Sequence, residues 1–301
     1  MKAEQGMVPE AEFRSYYGRP VIKEPVWKVP DVPAYLYLGG LAGASSTMAL
    51  LADATGRPVL TRTGRISAAA GATASVAFLI HDLGRPARFL NMLRVFKPTS
   101  PLSVGSWILA PFSALAGAGA ASDLTGLLPG LGRLSSSVAG VVAPAMTTYT
   151  AVLLSDTAVP GWHEPFRELP YVFAGSAVAS AGAVGMLAAP AREAAPARRM
   201  AVAGAALELA ASHRMEHRDE VIGEVYRTGR AGTVLRAAKA LTVAGAVGAV
   251  FARRSRVAAV AAGVCLSAAG AATRYGVFEA GRQSARDPRY TVVPQRRRAA
   301  V

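Results

Sequence analysis

The chain has 301 residues, of which 52% are apolar and only 17% charged. A soluble domain carries roughly a quarter charged residues, so this balance excludes an ordinary soluble enzyme and indicates a membrane protein. The formal charge of +14 does not indicate nucleic-acid binding, because Lys and Arg sit in connectors and tails and form no stripe along one surface.

Residues 1–31 are polar, charged and Pro-rich. They are expected to lie outside the membrane, and they hold no apolar core of a secretory signal. Apolar spans are predicted over 32–52, 66–83, 104–121 and 136–159, then over 170–189, 197–211, 234–252 and 257–279. Most are about 18–25 residues long, enough to cross a hydrocarbon core roughly 30 Å thick. The sixth is short and Ala-rich. The expected fold is all-α and integral to the membrane, with about eight transmembrane helices. Gly, Ala and Ser are frequent in the spans, and such small residues let helix backbones approach closely in lipid. A faint repeat relates Tyr35, Tyr37, Gly39 and Ala42 in the first span to Tyr171, Phe173, Gly175 and Val178 in the fifth. An offset of four spans makes two four-helix bundles, over 32–159 and 160–280, with a basic tail over 281–301.

Eight spans place both ends of the chain on one side of the membrane, here the terminal face. Most of the Lys and Arg fall on that side, and the positive-inside rule then puts the termini in the cytoplasm of a multi-pass plasma-membrane protein. Titratable groups within spans are functional candidates. Tyr35, His81, Asp82, Tyr149, Asp156, Glu208, Arg274 and Glu279 all fall in the half of the bilayer next to the terminal face. The opposite half has little beyond Asp53 and Asp123 at its edge. A channel needs polar groups through the full thickness, whereas a one-sided cluster suits a quinone headgroup. Such a headgroup takes a donor at each carbonyl and a protonatable group nearby. The competing reading is that these residues only mark helix ends, where Tyr and charged residues are ordinary.

No metal site is expected. Cys265 is the single cysteine and reads as a small buried residue, so any iron–sulfur chemistry must come from a partner. A bis-His haem needs two facing imidazoles, and only His81 falls within a span; His163 is in a connector. His213 and His217 are spaced one turn apart as metal ligands can be. Arg214, Arg218, Asp219 and Glu220 around them indicate a solvated connector instead.

The connector at 84–103 is long for a helical hairpin and carries Arg85, Arg88, Arg94 and Lys97 among aromatic and apolar residues. Long ordered loops are disproportionately functional, and this one presents a basic docking surface. The stretch "DLGRPARFLNMLRVFKPTSPLSVGSW" that contains it resembles the polysulfide reductase membrane-subunit family, NrfD/PsrC-like. "PVWKVPDVPAYLYLGGLAGAS", "YTAVLLSDTAVPGWHEPFRELPYVFAGSA" and "RYGVFEAGRQSARDPRYTV" extend the resemblance over nearly the whole chain. It implies two four-helix bundles, no haem, and a menaquinone-type quinone site beside a docked ferredoxin-like iron–sulfur subunit. Through that subunit it implies a catalytic subunit, often molybdopterin-dependent. By motif position Tyr35 stands at the first-span hydrogen-bonding place and Tyr149 at that of the fourth-span tyrosine. In polysulfide reductase the first-span partners look like Asn and His, where this chain has an apolar residue near Val32 and Tyr35.

The resulting expectation is a membrane anchor that exchanges electrons between quinone and an iron–sulfur subunit and does not itself act on the soluble substrate. Tyr35, His81 and Tyr149 would bind the quinone, Asp82 and Asp156 would carry protons, and Arg85, Arg88 and Arg94 would dock the partner. The rival is a transporter or ion-translocating subunit without a redox site, which needs polar groups reaching both faces. The Lys/Arg balance puts the docking face inside the cell, whereas the family resemblance puts it outside.

Overall fold

The computed structural model describes residues 21–299. The first twenty residues of the expected N-terminal segment and the last two of the basic tail lie outside the described residues. Among the described residues the regular secondary structure is all helix: α1 (Asp31–Ala54), α2 (Pro58–Asp82), α3 (Ala87–Met92), α4 (Pro101–Thr125), α5 (Pro129–Ser155), α6 (Pro160–His163), α7 (Leu169–Ala188), α8 (Ala195–His217), α9 (Glu220–Arg227), α10 (Gly229–Phe251), α11 (Arg256–Arg286) and α12 (Arg289–Ala299).

Seven of these, α1, α2, α4, α5, α7, α10 and α11, are long and apolar enough to cross a membrane. The chain is an all-α integral membrane protein. The remaining long helix, α8, has 23 residues but carries Arg198, Arg199, Glu208 and Arg214. It nevertheless lies along α7. Gly182 faces Ala197 and Ala201 near the start of α8, while Gly175 faces Gly204 and Glu208 further along it. A Cβ at Gly175 would sit 2.8 Å from the Cα of Glu208, so only glycine allows this antiparallel pair so close.

Helices α1, α2, α4 and α5 pack as neighbours, as do α7, α8, α10 and α11; α1 and α7 meet at the seam between the two groups. Helix starts follow local rules. Pro occupies the first turn of α2, α4, α5, α7 and α8, where its missing N–H leaves no bond unmade. Ser100 caps α4 and Asp219 caps α9. The cap of α2 comes from far along the chain. The largely buried Glu193 carboxylate accepts the N–H groups of Val59 and Leu60 at 2.8 and 3.1 Å.

Both ends of the described chain reach the same face. Glu24 pairs with Arg282 and Arg286 at 3.0 and 2.6 Å, and Trp27 stacks on Trp162 of α6 with centroids 5.5 Å apart. Residues 24–28 therefore form a strap across the terminal ends of the helices. On the opposite face Arg65 bridges Asp53 and Asp123 at 3.4 and 2.8 Å. The sequence places the second span from 66, with Arg65 outside it. The helix in fact begins at Pro58, because paired arginines need not stay in a loop. The opposite half is thus less bare of charge than expected, with Arg65 shared between Asp53 and Asp123 and the Glu193 carboxylate held by the first N–H groups of α2.

Candidate functional site

Tyr35 lies one turn into α1 and Tyr149 lies late in α5; both are buried. Their hydroxyls hydrogen-bond to each other, and the rings meet edge to face with centroids 6.5 Å apart. Val32, Leu36, Leu109, Phe112 and Met146 belong to the apolar cluster that holds them. From α2, Ser75 donates to the Tyr35 carbonyl at 3.2 Å. Helix α4 closes the site through Gly105, where a Cβ would come within 2.6 Å of the Tyr149 ring.

His81, the penultimate residue of α2, faces α1. Its Nδ1 is 2.6 Å from Oδ2 of Asp31, and the imidazole is 74% exposed while the Asp31 side chain is only 6% exposed. Asp31 and Tyr35 are four residues apart, on one face of α1. An exposed imidazole, a buried carboxylate and a buried phenol pair therefore follow one another from the terminal face inward.

The other expected site residues are placed differently. Asp82 accepts the backbone N–H of Lys28 at 2.8 Å, while the Lys28 ammonium donates to the His81 carbonyl at 3.1 Å. Asp82 therefore ties the strap to α2. Asp156 is the exposed C-cap of α5. Arg85, Arg88 and Arg94 are all exposed on the 84–103 connector, beside exposed Leu90, Val95 and Phe96. The connector contains α3 and folds back on α4. Trp107 donates its indole N–H to the Val95 carbonyl at 3.3 Å, and its ring meets Phe96 edge-on. A cavity of about 250 Å³ lies between this loop and the start of α4, lined by residues that include Met92, Lys97 and Ser106. Ser106 is the neighbour of Gly105, so the cavity lies beside the helix segment that packs on Tyr149.

Asp31 is the residue that sequence reasoning missed. It sits inside the quoted motif, four positions before Tyr35, and reads there as the polar edge of the leading segment. Arg274 is the second surprise. The sequence places it in the last turns of the final span, but α11 continues to Arg286 and leaves Arg274 well inside the helix. Its guanidinium is buried at the seam, over the Phe173 ring at 3.8 Å, and donates to the carbonyls of Phe173 at 2.7 Å and Leu36 at 3.4 Å. Nearby, buried Glu208 accepts the Thr273 hydroxyl at 2.6 Å.

The histidines weighed as metal ligands end up on the surface. His213 and His217 belong to α8 rather than to a connector, with ring centroids 4.2 Å apart. The Nδ1 of His217 bonds the His213 carbonyl at 2.8 Å. His163 bonds the Ser155 carbonyl through Nδ1 at 2.8 Å. Among the described residues no group of three or more His, Cys, Asp or Glu could hold a metal ion.

A quinone headgroup is compatible with the residues around Tyr35. Among the described residues the two phenol hydroxyls bond only to each other, in apolar surroundings, and a protonatable His–Asp pair stands one turn away. The family model described as polysulphide reductase, NrfD, matches residues 21–209, more than half of the chain. That stretch includes every residue of the tyrosine site. No curated protein matches the chain.

Proposed function

We propose, because the chain belongs to the polysulphide reductase NrfD family, that it is the membrane subunit of a quinone-linked oxidoreductase complex. It exchanges electrons between membrane quinone and an iron–sulfur subunit docked on the terminal face. The observation that carries this reading is the buried Tyr35–Tyr149 hydroxyl pair beneath the His81–Asp31 pair.

Tyr35 and Tyr149 would hold the quinone by donating to its oxygens in place of their mutual bond. The quinone, when bound, supplies the two-electron, two-proton chemistry that the side chains lack. The chain's own part is to bind, to exclude water and to move protons. The apolar cluster around the tyrosines keeps the site dry. Asp31, held by His81, stands where a proton can pass between the phenol pair and the terminal face. Asp82 and Asp156 remain carriers on that face, with Asp82 also fixing the strap. The exposed connector, with Arg85, Arg88 and Arg94 around an apolar patch, suits an acidic protein surface. The iron–sulfur centres belong to that partner, and the soluble substrate to a further, molybdopterin-type catalytic subunit. The quinone is of the menaquinone type, the membrane is the plasma membrane, and the terminal face is cytoplasmic by its basic connectors.

The test is quinone content and turnover of the purified complex. Tyr35→Phe and Tyr149→Phe should each lower bound quinone and raise the quinol KM. Loss of one neutral hydrogen bond corresponds to about threefold to tenfold. Assembly with the iron–sulfur subunit should persist. Full quinone content and unchanged kinetics in both variants would remove the site.

A further inference from the structure

The terminal ends of α7 and α8 flank an open groove of about 730 Å³ that plays no part in the tyrosine site. Its α8 wall is a single stripe, Leu207, Ala210, Ala211 and Arg214, which Arg218, the C-cap just past α8, extends by one turn. The spacing of three, one, three and four residues keeps them on one helix face. From Leu207 to Arg218 the stripe rises about 16 Å along the axis, changing from apolar to cationic as it nears the membrane surface. The α7 side adds Arg167 and Tyr171, and Tyr171 is 60% exposed.

Charge in this groove is unbalanced. It is lined by three arginines and one carboxylate, Glu168. Glu168 is committed to Arg218, whose Nη1 donates to its two oxygens at 2.8 and 2.9 Å. The guanidiniums of Arg167 and Arg218 both lie over the Phe166 ring, at 5.3 and 5.5 Å from its centroid. This stacking holds both at the rim, where Arg218 is paired with Glu168 and Arg167 faces the groove beside Arg214.

We propose that this groove is a binding site for an anionic phospholipid. The phosphate would be held by Arg167 and Arg214, with the acyl chains lying along Leu207, Ala210 and Tyr171. A soluble partner does not account for the apolar part of the stripe, which runs into the hydrocarbon region. A neutral quinone headgroup does not account for the surplus of cations. A lipid with a negative headgroup matches both parts at their observed separation. The inference depends only on the chain spanning a membrane, so it can fail without affecting the quinone reading.

The experiment is native mass spectrometry of the purified full chain, exchanged from detergent into mixtures of phosphatidylglycerol and phosphatidylcholine. Wild type should retain phosphatidylglycerol about tenfold over phosphatidylcholine. The exposed-site double variant Arg167→Gln/Arg214→Gln should lose most of that preference, and Arg167→Lys/Arg214→Lys should largely keep it. Equal retention of the two lipids by wild type would overturn the proposal, as would a preference unaffected by the Gln variant. Displacement of the lipid by inorganic phosphate would reassign the site to a free anion. In the intact complex, a photo-crosslinker at position 171 should label lipid; labelling of another protein subunit instead would overturn the proposal.

Discussion

His81 and Asp31 meet across the terminal ends of α2 and α1, Nδ1 to Oδ2 at 2.6 Å, one partner in solvent and the other buried. The carboxylate is a helical turn from Tyr35, so it is the acid–base group best placed to serve the phenol pair. Asp31→Asn keeps the shape and the hydrogen bond to imidazole but cannot take up a proton. Quinol-linked turnover of the complex should fall by about a hundredfold, the lower end of general acid–base contributions, with quinone still bound. Asp156→Asn, at an exposed helix end, should have a much smaller effect. An equal loss in the two variants would move the proton route to the end of α5.

Gly105 lies against the Cδ2–Cε2 edge of the Tyr149 ring. A methyl group there cannot be accommodated unless the ring moves, and overpacking of this kind costs about 1–3 kcal/mol. Gly105→Ala should lower the melting temperature of the purified chain by a few degrees and raise the quinol KM by displacing the Tyr149 hydroxyl. An unchanged KM alongside a lowered melting temperature would show that Tyr149 does not contact quinone.

The number and order of long helices were legible in the sequence because apolar run length against bilayer thickness is a strong signal. Helix ends were not, because pairing lets charged residues enter a helix. Arg65 is drawn into α2 by Asp53 and Asp123, and Arg274 is drawn into the seam by two carbonyls and the Phe173 ring. Tyr35 and Tyr149 were reached through motif position. Their mutual hydrogen bond, across 114 residues of chain, has no local signature. Asp31 was hidden for the same reason, since only the fold brings His81 to it. Asp82 and Asp156 were singled out by depth, and depth alone does not say what a carboxylate bonds: Asp82 accepts the Lys28 N–H and Asp156 stands exposed at the end of α5.

Glu24 ties the strap to the end of α11. The hydrogen bond from Arg286 holds its carboxyl below the usual range, against a smaller opposing effect of burial, and Arg282 adds to the lowering. A carboxyl lowered in the folded chain stabilises the strap fully above its ordinary range and loses that contribution as pH falls through the lowered value. Acidification below about pH 4 should therefore loosen residues 24–28 and separate Trp27 from Trp162, read as a change in tryptophan emission. Glu24→Gln should show the loosened emission already at neutral pH and lack the acid step. A step of unchanged midpoint in that variant would assign it to another group.

Arg274 joins three helices at the seam: it is carried by α11 and bonded to carbonyls of α1 and α7. Its guanidinium also lies close against Gly40, where a Cβ would come within 3.0 Å of Nη2. A long apolar side chain of similar length would fill this space but leave the Phe173 and Leu36 carbonyls without their side-chain donor. It would also leave Glu208 without a nearby positive charge. Breaking buried charged contacts of this kind costs about 3–5 kcal/mol. Arg274→Met should therefore destabilise the chain by that order in detergent, with a large fall in melting temperature and easier proteolysis between α5 and α7. Arg274→Lys retains the charge but not the planar fork that stacks on Phe173 while donating to two carbonyls. It should recover only part of the loss. Full recovery by Lys would show that charge alone holds the seam, and no loss in Met would show that the buried guanidinium contributes nothing to joining the two groups of helices.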